Sequence, residues 1–171
     1  MPPLKYILKV CLLGDGAVGK TSLVRRFVFD AFDDRYLQSF GTKVSKKVVS
    51  FENVEANLMI WDILGQRTQK TLHAAYYRGA AGALAVCDFT RPETLQSLSS
   101  WVDGFLSVVG EAPIIVLTNK SDLDKAFSIG DARAFGESIG SPVIETSAKT
   151  GDNVEETFAQ ITRMMVAEDS K

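Results

Sequence analysis

GDGAVGKT occupies residues 14–21. Apolar Leu12 and Leu13 run into it like the end of a strand, and Leu23, Val24 and Phe27 follow at helical spacing. The stretch matches G-x-x-x-x-G-K-T, the phosphate-binding loop, in the strand-to-helix setting that the motif demands. Gly14, Gly16 and Gly19 let the backbone curl until its N–H groups face one point. The helix behind adds the positive end of its dipole there. Lys20 is placed to reach β- and γ-phosphates, and the Thr21 hydroxyl to take one position on Mg²⁺. Asp15, Ala17, Val18 and Ser22 complete the nucleotide-binding stretch. The plainer reading, a glycine-rich turn with a solvated lysine, does not call for that setting. The loop points to a nucleoside triphosphate, and the base must be read elsewhere.

The bulk numbers narrow the class. A chain of 171 residues with 46% apolar and 23% charged residues suits one domain, 1–171, with one sizeable core. A net charge of −2 argues against a basic surface for nucleic acid. Cys11 and Cys87 lie in apolar runs (LKVCLL and ALAVCDF), so they read as buried, reduced thiols of a cytoplasmic protein. No apolar run approaches the length of a membrane span, and MPPLKYILKV lacks the pattern of a signal peptide. The last residues, MMVAEDSK, hold no cysteine for a prenyl group, so no direct lipid anchor is expected in this chain.

Strand-like and helix-like stretches alternate. ILKVCLL (7–13) leads to the loop, and a helix covers Thr21–Phe29. KVSKKVVSF (43–51) and NLMIWDI (57–63), with a turn at Asn53, read as an antiparallel hairpin. GALAVCD (82–88), PIIVLTN (113–119) and PVIETS (142–147) are further strands, the first two apolar enough for burial on both faces. Leu95, Leu98, Val102 and Phe105 mark a helix after Pro92. Val154, Phe158, Ile161 and Met165 mark the last helix, with Asp152 or Asn153 as cap. The pattern is an α/β three-layer domain with one antiparallel edge hairpin. Ligands in such folds sit beyond the carboxyl ends of the strands.

NKSD (119–122) follows one such strand. The Asp122 carboxylate can accept from N1–H and the 2-amino group of guanine, a donor pair that adenine lacks. The Lys120 stem can cover the base, and Asn119 can tie this loop to the phosphate loop. TSAK (146–149) follows the next strand. The backbone of Ser147 and Ala148, with Lys149, is placed to hold guanine O6 and cover the ring. Leu123 joins the nucleotide-binding set. NKSD alone is a common polar turn, and its company gives it meaning.

Three motifs in this order resemble the Ras superfamily of small GTPases, over nearly the whole chain. YYRGA (76–80) and ETSAKTGDNVEETF (145–158) are similar to its Rab branch. The resemblance implies a P-loop NTPase fold with a mostly parallel six-stranded sheet and about five flanking helices. It also implies Mg²⁺-dependent binding of GTP and GDP, slow hydrolysis, and two switch segments that order around the γ-phosphate. By position, Phe32 would pack against guanine and Tyr36 would close over the γ-phosphate. The Mg²⁺-binding threonine of the first switch falls on Ser39, a mild departure, with Thr42 as a competitor. In the second switch, WDILGQR (61–67), Asp62 would bind Mg²⁺ through water and Gly65 would give its N–H to the γ-phosphate. Gln66 would orient the attacking water. Gln66, Lys20 and Gly65 form the catalytic set. The family has Thr-Ala where this chain has Ile63-Leu64, and Glu where it has Arg67. Arg67 reads either as a solvated surface residue or as an intrinsic arginine finger. Gly16 would leave room for Gln66 and for an arginine from an activating protein.

His73, the only histidine, has no nucleophile beside it and reads as a helical surface residue. Lys43, Lys46 and Lys47 read as a charged sheet edge or as a docking face for acidic partners. Trp61 and Trp101 read as packing residues. The leading function is a GTP-hydrolysing switch with effector, exchange-factor and GTPase-activating partners. A non-hydrolysing module locked by Ile63-Leu64 is the second reading, and NKSD speaks against the third, an ATPase or kinase. Without a lipid site, either a tail is missing from this sequence or the protein meets membranes only through a partner. That absence and the altered switches suit a divergent, prokaryotic member.

Overall fold

The computed structural model describes residues 2–30, 41–64 and 70–171, and the side chains of 41, 42, 63, 64 and 70–73 lie outside what is described. The chain runs β1 (Leu4–Leu13), α1 (Lys20–Phe29), β2 (Gly41–Phe51), β3 (Val54–Leu64), α2 (Lys70–Tyr77) and β4 (Gly82–Asp88). It continues through α3 (Pro92–Gln96), α4 (Leu98–Val109), β5 (Ile114–Asn119), α5 (Ile129–Ile139), β6 (Val143–Glu145) and α6 (Val154–Asp169). The six strands form one sheet in the order β2-β3-β1-β4-β5-β6. Only β2 is antiparallel to its neighbour. This is the mostly parallel sheet with an antiparallel edge that the sequence suggests, in the three-layer α/β arrangement of P-loop proteins.

Alternation along β1 explains the layers. Leu8, Val10 and Leu12 face α1 and α6, joining Leu23, Phe27, Phe158 and Ile161 in one core. Cys11 and Leu13 point the other way, toward Tyr77, Trp101, Val102 and Phe105. A strand buried on both faces can be apolar throughout, and β4 is buried at every position. Phe27 and Phe158 stack with centroids 4.0 Å apart, pinning α1 to α6. Burial pushes both thiols up to about 12, so Cys11 and Cys87 are inert core residues. Among the described residues no helix is long and apolar enough to cross a membrane.

Several boundaries differ from the sequence reading. The helix after Pro92 is two helices, α3 and α4, divided at Ser97. The Ser97 hydroxyl bonds back to the Glu93 carbonyl at 3.0 Å, the local competition that disturbs helices. Leu98, Val102 and Phe105 are nevertheless buried as their spacing requires. Asn153 is the N-cap of α6 but not by its side chain, which donates to Glu145 O at 2.8 Å. The β2–β3 turn falls at Glu52 and Asn53, as the sequence suggests, with Glu52 at positive φ. β6 is shorter than PVIETS, and beyond Glu145 the hydroxyls of Thr146 and Ser147 bond to Asn119 and Asp122 of the neighbouring loop. α5 carries a capping box between Ser128 and Asp131. On the edge, Lys43 and Lys46 are exposed, whereas Lys47 turns inward and sets its ammonium 5.5 Å from the Phe27 ring.

Gly136 tests how closely α5 packs. A Cβ there would meet Val143 Cγ2 at 2.6 Å and the Ser141 carbonyl oxygen at 2.7 Å. Gly136→Ala is expected to cost about 1–3 kcal/mol, lowering Tm by roughly 3–10 °C. Gly104 in α4 has nothing within 4 Å of the same added atom among the described residues. Gly104→Ala is therefore expected to stabilise by about 0.5–1 kcal/mol. Thermal unfolding of both variants checks the pair, which should move in opposite directions.

Candidate functional site

The loop between β1 and α1 is fixed by close approach. At Gly14 (φ 138°) an added Cβ would strike the Val86 carbonyl oxygen, and at Gly19 (φ 103°) the Asn119 amide nitrogen. Only glycine fits either place. At Gly16 an added Cβ would meet nothing within 4 Å among the described residues. Ala17 takes φ 62°, uncommon for a residue with a side chain. Val18 is fully buried in the core beside the loop. Ser22 is half-buried in the first turn of α1.

Lys20 is buried, and its ammonium donates to Gly14 O at 2.7 Å and Asp15 O at 2.8 Å. Burial pulls its pKa down to about 8, with Asp62 and Asp15 opposing the shift and Arg91 adding to it. Asp62 stands near the end of β3, 2% exposed. Its Oδ2 accepts the Thr21 hydroxyl at 2.6 Å. Its Oδ1 is buried with no hydrogen-bond partner among the described residues. Burial raises the carboxyl above its usual range, and the Thr21 hydroxyl, Lys20 and Lys43 work against that. A hydroxyl beside an orphaned buried carboxylate oxygen is a pair of hard oxygen donors. Mg²⁺ takes such donors, and with them waters and phosphate oxygens.

The guanine motifs close on the same loop. Asn119, 1% exposed, donates to Val18 O at 2.9 Å and accepts from the Thr146 hydroxyl at 3.1 Å. One side chain thus joins the phosphate loop, NKSD and TSAK. Lys120 reaches Ala17 O at 3.0 Å. Asp122 Oδ1 accepts from the buried Ser147 hydroxyl at 2.7 Å. Ala148 is buried, and Lys149 and Leu123 are exposed. Phe32, Tyr36, Ser39, Gly65, Gln66 and Arg67 lie outside the described residues, as do the side chains of Thr42, Ile63, Leu64 and His73.

Four residues that the motifs do not contain support the site. Trp101 is more than packing: its indole N–H donates to Asp15 Oδ1 at 2.9 Å. Arg26 on α1 donates to the carbonyls of Ala148 and Lys149, holding TSAK from outside. Asp88 closes β4 and pairs with Lys120 at 2.9 Å. Arg91 pairs with Asp88 at 3.1 Å and donates to Gly16 O at 2.9 Å. Burial alone would raise the Asp88 carboxyl, but Lys120, Thr90 and Arg91 hold it below the usual carboxylate range. Trp61, by contrast, is half-buried with the Lys9 ammonium 3.7 Å from its ring centroid.

Residues 9–167 match the family model described as Ras family. The chain is 40% identical over 167 residues to Ras-related protein Rab-22A of Mus musculus, covering 95% of this chain and 86% of the relative. It is 40% identical over 161 residues to Ras-related protein Rab-31 of Rattus norvegicus, covering 92% and 83%. Ras-related protein RABD2b of Arabidopsis thaliana is 35% identical over 164 residues, covering 94% and 81%. With the phosphate loop, NKSD and TSAK converging on one buried asparagine, these likenesses fix the assignment: the chain belongs to the Ras family, as a Rab-like small GTPase that binds GTP and GDP and hydrolyses GTP.

Proposed function

We propose that residues 1–171 work as one switch domain in which Gly14–Ser22 hold the nucleotide phosphates. Asn119, Lys120, Asp122, Leu123 and Ser147–Lys149 hold the guanine, and Thr21, Asp62 and Ser39 hold Mg²⁺. The observation that carries this reading is the Asn119 side chain, which bonds to both the phosphate loop and Thr146 and so sets base and phosphates at a fixed distance. Bound there, Mg²⁺ supplies positive charge to the phosphate oxygens. Lys20 and the loop amides place donors where charge develops as the γ-phosphate leaves. Gln66 orients the attacking water, a role taken from the family resemblance, and Gly65 gives its N–H to the γ-phosphate. Phe32 and Tyr36 close over the nucleotide from the first switch. Exchange, activating and effector proteins are the partners that such a switch needs.

Three measurements test these assignments. In single-turnover assays, Gln66→Leu is expected to slow phosphate release from GTP about tenfold or more, with GTP still held. Equal rates would remove Gln66 from the chemistry. Asp122→Asn replaces two charge-assisted bonds to guanine with an amide that can donate to a 2-oxo base. GDP release from that variant should rise about a hundredfold, and xanthosine diphosphate should be retained in its place. Asp62→Asn removes the charge beside Thr21. The Mg²⁺ concentration that halves the GDP release rate should rise about tenfold or more. An unchanged Mg²⁺ dependence would put the metal elsewhere.

A further inference from the structure

A planar peptide points its C=O opposite to its N–H. A loop that turns its amides toward one point must therefore turn its carbonyls outward, where something has to receive them. Here every carbonyl from 14 to 19 has a donor. Lys20 takes those of Gly14 and Asp15, Arg91 that of Gly16, and Lys120 that of Ala17. Asn119 takes that of Val18, and the Leu23 amide that of Gly19. Lys20, Lys120 and Asn119 belong to the two nucleotide motifs, and the Leu23 amide is helix backbone. Arg91 is the one donor that comes from neither source.

Arg91 is held for this task. It lies in the turn between β4 and α3, and Asp88, whose side chain is 1% exposed, receives its Nε at 3.1 Å. Asp88 Oδ1 is taken by the Thr90 amide at 2.8 Å and hydroxyl at 2.7 Å. Asp88 Oδ2 is shared by Arg91 and Lys120. One buried carboxylate thus aims two cations at consecutive carbonyls, Gly16 and Ala17. These flank the least supported part of the loop. Ala17 sits at φ 62°, and an added Cβ on Gly16 would meet nothing within 4 Å among the described residues. Among the described residues, what holds that stretch is the pair of hydrogen bonds from Arg91 and Lys120.

We propose that Arg91, anchored on Asp88, is a positioning residue for nucleotide binding: its Nη2 bond to Gly16 O holds the Gly16–Ala17 peptide so that the Ala17 N–H faces the phosphates. The rival role is to neutralise Asp88. Lys120 already supplies a cation to that carboxylate, and a lysine at 91 would serve as a second. From position 91 the guanidinium uses two different nitrogens, Nε for the carboxylate and Nη2 for the Gly16 carbonyl, and the single ammonium of a lysine there cannot reproduce that fork.

The inference rests on residues 14–22 being the phosphate site. The test compares the full chain with Arg91→Ala and Arg91→Lys, each loaded with GDP. Three quantities are read: the release rate of a fluorescent GDP, the phosphorus NMR resonances of bound GDP, and Tm. Loss of the clamp should speed release about tenfold in Arg91→Ala and shift the phosphorus resonances, with Arg91→Lys between. Release within twofold of wild type with unmoved resonances overturns the proposal, whether or not Tm falls. If Arg91→Ala does not fold, Arg91→Lys is judged by the same two limits. A wild-type chain that fails to hold GDP overturns the phosphate-site reading and the clamp with it. Wild-type release by both variants from a chain that does hold GDP overturns the clamp alone.

Discussion

The Asn119 carboxamide is the joint of the molecule. Buried at the end of β5, it gives its N–H to Val18 O and takes the Thr146 hydroxyl on its oxygen. A buried amide left unpaired is costly, so three loops must stay in register for it to be satisfied. The joint also explains Gly19, where any side chain would collide with the Asn119 nitrogen. Strand order makes the joint available. β4 and β5 pair with Asp88 opposite Asn119, so a carboxylate and a carboxamide stand side by side at the same sheet end. Each then serves one half of the phosphate loop.

Charge burial follows from the same arrangement. Lys20, Asp62 and Asp88 are almost wholly withdrawn from solvent. Each is tolerated because partners are built around it. Asp88 is satisfied four times over, so its carboxyl stays acidic despite burial. Asp62 is the contrast: one oxygen is held by Thr21, the other by nothing among the described residues, and its carboxyl is raised. The first belongs to the protein's own framework. The second leaves an oxygen donor beside the Thr21 hydroxyl, which is the physical case for the cation proposed there.

The legible part of this protein was the part coded within a few residues. The phosphate loop and NKSD could be read because glycine, lysine and aspartate spacing is itself the chemistry. The sheet was legible because strands buried on both faces have to be apolar throughout. The supporting residues were not. Arg91 meets Gly16 across 75 positions, Trp101 meets Asp15 across 86, and Arg26 meets Ala148 across 122. No local spacing encodes such contacts. Asp88 left a trace, a carboxylate closing the apolar run GALAVCD, which wanted a buried partner. The break at Ser97 was hidden because the apolar spacing continues through it while the hydroxyl bonds back to Glu93.

The departures at Ile63 and Leu64 gain a setting from the sheet. β2 and β3 pair along their whole length, and the final rungs are Thr42 with Ile63 and Gly41 with Leu64. Residue 40 closes the segment that carries Phe32, Tyr36 and Ser39, and residue 65 opens the one that carries Gln66. The two segments proposed to answer to the γ-phosphate therefore flank one antiparallel ladder. A shift of register in that ladder would carry every side chain of both strands to the opposite face. Ala56, Leu58 and Ile60 on β3 are fully buried, and that anchoring forbids such a slip. The last rungs are thus a fixed floor, and two bulky residues there belong to the sheet before they belong to the switch.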